Sequence, residues 1–132
     1  MKIGIIAGQF HAAEMAEMLD EARKTAAPLG LEIVAEVLVP GSMEKPLALK
    51  RLLLRHDIDG AVVLGIIEKG ETAHGLVMAQ AVIAAIIGLE LETMKPVGVG
   101  ILGPEIQASQ IPARIRPYAA AAVRAVAAMR GQ

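Results

Sequence analysis

The hydrophobic pattern of the chain switches period repeatedly, and each switch marks an element. Residues 2–7 form a short Ile-rich run closed by Gly8, which reads as a strand. Residues 12–27 change to helical spacing. Met15, Met18, Leu19 and Ala22 share one face, while Glu14, Glu17, Asp20, Glu21 and Lys24 lie largely on the other. Pro28-Leu29-Gly30 ends that helix, and residues 31–39 form a second, β-branched strand. Glu32 and Glu36 within it point to water or a sheet edge on one side. Residues 46–55 predict a short amphipathic helix, with Leu47, Leu49, Leu52 and Leu53 set against Lys50, Arg51 and Arg55. Asp57-Ile58-Asp59-Gly60 turns the chain into 61–65, a continuous apolar run suited to a strand covered on both faces. Residues 72–93 predict a long helix and 96–102 a fourth strand closed by Gly103-Pro104. Residues 109–129 predict a last helix, irregular near Pro112 and Pro117. Strand and helix alternate four times, which implies a four-stranded parallel sheet with helices on both faces: an α/β, three-layer αβα sandwich.

The long helix departs from the single apolar stripe that a helix on a sheet needs. From Leu76 to Leu89 it is apolar nearly all round, so its far side calls for further cover. Its charge-free stretch, residues 73–89, is shorter than the roughly 20 residues of a membrane span. A second copy of the chain is therefore the expected cover, with the last helix as the alternative.

Composition narrows the class. The 132 residues read as one domain, 1–132, and 55% of them are hydrophobic, which excludes a disordered chain. The net charge of −1, without a basic run, argues against nucleic acid as the main partner. Cysteine is absent, which excludes disulfides and thiolate metal sites and suits a cytoplasmic protein. The apolar start is too short for a signal sequence and reads as the first strand.

Chemistry-bearing residues gather after the strands, where open α/β sheets bind ligands. Phe10 follows the first strand and could stack on a planar ring or plug the sheet edge. Pro40-Gly41-Ser42 turns sharply after the second strand, and Glu44 then sits near a helix start, able to bond polyol hydroxyls or simply to favour the helix. After the third strand, Gly70-Glu71-Thr72 could cradle a phosphate or cap the helix, and His74 could move protons near neutral pH. Arg114 and Arg116 could supply a cation for such an anion. His11 and His56 read as exposed helix-end residues. The three histidines lack metal-ligand spacing, and no Gly-x-Ser-x-Gly elbow is present.

These residues together resemble the lumazine synthase family, and most closely its short archaeal members. The resemblance rests on Gly8-Gln9-Phe10, on Val39-Pro40-Gly41-x-x-Glu44-x-Pro46-Leu47-Ala48-x-Lys50, and on Leu64-Gly65-x-Ile67-x-x-Gly70-Glu71-Thr72-x-His74. Lys95-Pro96-Val97, Gly100-Ile101, Gly103-Pro104, Gln110 and Arg114 follow in the family's order, so the likeness covers the whole chain. It implies a flavodoxin-like fold assembled as homopentamers or multiples of them, with active sites between neighbours. It implies a transferase of riboflavin biosynthesis that condenses 5-amino-6-ribitylaminouracil with 3,4-dihydroxy-2-butanone 4-phosphate. No metal or organic cofactor is implied, and the partners are small-molecule substrates, with neither nucleic acid nor membrane. By the same likeness, Phe10 stacks on the pyrimidine and Ser42, Met43 and Glu44 hold the ribityl chain. Ile67 and Val99 line the substrate pocket, Gly70, Glu71 and Thr72 bind phosphate, His74 shuttles protons, and Arg114 of a neighbour clamps the phosphate. The chain departs from the family's pattern at His11, Met43, Lys45 and Gly75, and residues 118–122 lack the family's last-helix lysine. The archaeal type of riboflavin synthase, and a lumazine- or flavin-binding protein without turnover, are the alternative functions.

Overall fold

Strands β1 (Lys2–Gly8), β2 (Glu32–Val39), β3 (Gly60–Glu68) and β4 (Val97–Ile106) alternate with helices α1 (Ala12–Ala26), α2 (Lys45–Leu53), α3 (His74–Thr93) and α4 (Ile115–Ala128) in the computed structural model, which describes residues 1–131. The strands form one parallel sheet in the order β2-β1-β3-β4. β2 is an edge strand, as its two glutamates suggested. Arg23 of α1 forks onto the Glu36 carboxylate at that edge, 2.8 Å at its shortest.

Side chains of alternate parity fill two layers. Ile3 and Ile5 of β1, Val62 and Leu64 of β3 and Leu102 of β4 pack under α1 and α4, against Met15, Met18, Val123 and Val126. Ile6, Val63, Ile67 and Ile101 face the other way, against Leu49 and Leu52 of α2 and Ala79, Val82 and Ile86 of α3. On the first face a side chain at Gly98 would collide with the Ala122 carbonyl, so glycine lets the α4 backbone lie close against β4. The same face carries an ionic clasp. Arg116 of α4 donates to Asp20 at 3.0 Å and Glu21 at 3.2 Å of α1, with Glu17 at 3.8 Å. Lys24 and Arg116 together hold the Asp20 carboxyl below its ordinary range.

Three sequence expectations change. β4 does not close at Gly103-Pro104: it continues through that cis peptide to Ile106, which pairs with Glu68 of a correspondingly longer β3. β4 is an edge strand, where a proline's missing N–H is tolerated. The last helix starts at Ile115 and not at 109, after a 3-10 turn at Ala108–Gln110. Pro117 then falls in the first turn, where no intrahelical N–H bond is due. Finally, α3 has 20 residues and is by length and apolar content alone long enough to cross a bilayer, which the charge-free run had not suggested. Ala79, Val82 and Ile86 nevertheless bury one side of it in the α2–α3 layer. α4 does not cover its far side, because α4 lies on the opposite face of the sheet; Val77, Ile87 and Leu91 of α3 stay exposed.

Candidate active site

The chain leaves β1 toward β2 on one side and leaves β3 toward β4 on the other, passing through helices on opposite faces. The connections therefore diverge between the carboxyl ends of β1 and β3, the position where open α/β sheets form a ligand crevice. The Gln9 N–H donates to the Val39 carbonyl at 2.9 Å and ties the exits of β1 and β2 together. Phe10 then projects 73% exposed, with its ring against Gly41: a Cβ there would lie 3.3 Å from the ring. The glycine thus makes room for the aromatic face. After Gly41 a 3-10 turn, Ser42–Glu44, leads into α2, and Pro46 occupies the start of that helix, where proline is well tolerated. Phe10, Pro40, Gly41, Ser42, Met43, Glu44, Ile66 and Met78 enclose an open crevice of about 400 Å3.

A second opening, of about 420 Å3, lies beyond the end of β3 and is lined by Glu68, Lys69, Gly70, Glu71, Gln107 and Ala108. The Lys69 N–H donates to the Ile106 carbonyl at 2.8 Å, so the extended end of β4 anchors this loop. Thr72 Oγ1 accepts the His74 backbone N–H at 3.3 Å and satisfies one of the free donors at the start of α3. His74 is the first residue of α3 and its side chain is exposed, available to a ligand and not locked into packing.

Phe10, Ser42, Met43 and Glu44 thus meet in the crevice, and Gly70 and Glu71 in the neighbouring opening, with Thr72 and His74 immediately following. Other expected residues stand elsewhere. The side chain of Ile67 is 4% exposed and buried in the α2–α3 core; strand alternation gives the crevice position to Ile66 instead. Val99 lies partly exposed on edge strand β4 and lines neither opening. Arg114 lines neither opening either, and its guanidinium turns back onto the Gln110 carbonyl at 2.9 Å. Arg116 is engaged by the α1 carboxylates and is not a free cation for an anion.

One residue of this region was not legible as special. Lys45, at the start of α2, is the one charged side chain buried among the described residues, 1% exposed. Burial pushes its ammonium down from the ordinary 10.5 to about 8. Gly8, the last residue of β1, and Gly65, inside β3, leave the space that its chain fills, and that glycine pair was the available signal.

Comparison with known proteins agrees along the full length. Residues 1–131 match the 6,7-dimethyl-8-ribityllumazine synthase family. The chain is 42% identical over 129 residues to the 6,7-dimethyl-8-ribityllumazine synthase of Metallosphaera sedula, covering 98% of this chain and 85% of that protein. It is 41% identical over 128 residues to that of Staphylothermus marinus, covering 97% and 85%. For Methanopyrus kandleri the identity is 40% over 129 residues, covering 98% and 91%. With the parallel sheet, the split crevice and the whole-length match in agreement, the chain belongs to the 6,7-dimethyl-8-ribityllumazine synthase family.

Proposed function

We propose that this chain condenses 5-amino-6-ribitylaminouracil with 3,4-dihydroxy-2-butanone 4-phosphate to give 6,7-dimethyl-8-ribityllumazine, the step of riboflavin biosynthesis that its relatives' name denotes. The observation that carries the reading is the meeting of an exposed aromatic, a hydroxyl and a carboxylate in one crevice, beside a glycine-containing loop that leads into a helix N-terminus. Phe10 offers a flat face to the pyrimidine, and Ser42 and Glu44 bond the ribityl hydroxyls. Ile66, in place of the buried Ile67 side chain, and Met78 supply the apolar wall. Gly70, Glu71 and Thr72 bring backbone N–H groups and a hydroxyl to the phosphate at the start of α3.

The chemistry needs orientation and proton transfer. The 5-amino group attacks the ketone, and water leaves as the imine forms. Phosphate is then eliminated, and the ribityl-bearing nitrogen closes the ring with loss of a second water. His74, exposed at the head of α3, takes and returns the protons; positioning both substrates in one crevice provides the larger share of the rate.

The site is completed by a neighbouring copy. Two features support this. α3 keeps Val77, Ile87 and Leu91 exposed, and Arg114 stands apart from the loop whose anion it would clamp. A ring of five, or a multiple of it, brings the Arg114 of one copy to the Gly70-Glu71-Thr72 loop of the next. A chain without cysteine suits the reducing cytoplasm.

Incubation of the purified protein with the aminouracil and the butanone phosphate tests the reading: fluorescent lumazine is the expected product. Riboflavin formed from lumazine alone, or tight lumazine binding with no product from the two substrates, would overturn it.

A further inference from the structure

Lys45 presents a physical problem that the fold does not explain. An ammonium taken out of water costs several kcal/mol unless a counter-charge compensates it. Among the described residues no carboxylate lies within ion-pair distance of Lys45, and its one hydrogen bond goes to Ser42 Oγ at 3.3 Å. An apolar side chain of the same length would fill the space at lower cost. The protein instead leaves room for the amine. A Cβ at Gly65 would overlap the Lys45 nitrogen, and one at Gly8 would stand 3.8 Å from it. The amine therefore sits against β1 and β3, and its one side-chain hydrogen bond reaches Ser42, which lines the crevice.

A serine hydroxyl has one proton to donate and two lone pairs. The buried ammonium has donors only, so Ser42 Oγ must accept from it, and the serine proton is left for the crevice. We propose that Lys45 is a positioning residue that fixes the Ser42 hydroxyl as a hydrogen-bond donor toward an acceptor oxygen of a polyol-bearing ligand. This builds on the reading of the crevice as the ribityl site. Its consequence is selectivity: the pair recognises the oxygen-rich chain of the ligand and not its ring. A lysine whose hydrogen bond merely stabilised the fold would not discriminate between the two.

The test compares Lys45→Met, Ser42→Ala and the double variant with the natural protein. Two fluorescent probes are used: 6,7-dimethyl-8-ribityllumazine, and 6,7,8-trimethyllumazine, which keeps the ring and lacks the polyol. Lys45→Met should weaken the ribityl probe about tenfold, the size of a lost charge-assisted hydrogen bond, and leave the trimethyl probe unchanged. Ser42→Ala should do the same, and the double variant should lose no more than either one. KM for the aminouracil should rise about tenfold in each, while kcat stays within about twofold. Unchanged ribityl affinity in Lys45→Met, equal loss for both probes, or losses that add would overturn the proposal; so would a natural protein that binds no ribityl probe. Binding of the ribityl probe without lumazine formation would remove the proposed reaction and leave the Lys45–Ser42 pairing standing on the affinity data.

Discussion

The two faces of the sheet solve different problems. The α1–α4 face is closed: α1 is amphipathic, α4 lies close over Gly98, and Arg116 clasps the α1 carboxylates at the rim. The α2–α3 face keeps a long helix with exposed apolar side chains, a buried amine without a counter-charge, and the crevice itself. Exposed apolar side chains and an ammonium without a counter-charge are gathered on the face that carries the crevice, as expected when functional sites carry locally unfavourable arrangements.

The contrast can be broken first in the closed face. Met18, fully buried under α4, should cost about 2–5 kcal/mol when replaced by alanine, because a cavity remains where nothing can move in. Denaturant unfolding measures the loss, and turnover per folded molecule should be retained. On the open face the expected sign reverses. Lys45 has a folded pKa of about 8 against an ordinary 10.5, so between those values the unfolded chain holds a proton that the folded chain has released. Stability should therefore rise across that window, by about 3 kcal/mol at most, while below pH 8 both states are charged and the full penalty persists. Urea titrations at pH 7 and pH 10 should show that rise in the natural protein and its absence in Lys45→Met, which should be the more stable of the two at pH 7. His74→Ala should slow lumazine formation about 100-fold, a general acid–base contribution, with an unaltered melting temperature. An unchanged rate would remove His74 from the mechanism. The smallest effect belongs to Arg116→Ala. The clasp is solvent-exposed, so its loss should lower stability only slightly, and less still at high salt.

Much of this contrast could be read from residue order. The four-fold alternation of elements gave the parallel sheet, and the glutamates of residues 31–39 marked the edge strand. The all-round apolar character of residues 76–89 anticipated a helix whose far side stays exposed in the chain alone. Phe10, Ser42 and Glu44 stood out in the sequence because they lie in the loops that follow strands, and they line one opening. What stayed hidden depends on three-dimensional alternation or on space made by distant residues. Ile66 and Ile67 are equivalent in sequence, and only the pleat decides which faces the crevice. Pro104 looked like a strand end because the tolerance of an edge strand for proline is invisible until the strand order is known. Lys45 looked like an ordinary first-turn charge, because the glycines that accommodate it lie 37 positions before it and 20 after it in the numbering.

The division of one site between two copies is the central claim, and mixing crippled variants tests it most directly. His74→Ala and Arg114→Ala, each of which should be slow alone, are co-assembled from a common unfolded pool. If the histidine of one copy works with the arginine of its neighbour, about a quarter of all sites in an equal mixture regain both groups, and lumazine fluorescence returns in proportion. A mixture that stays as slow as its two parents, at a size proving that hybrids formed, would contradict the account.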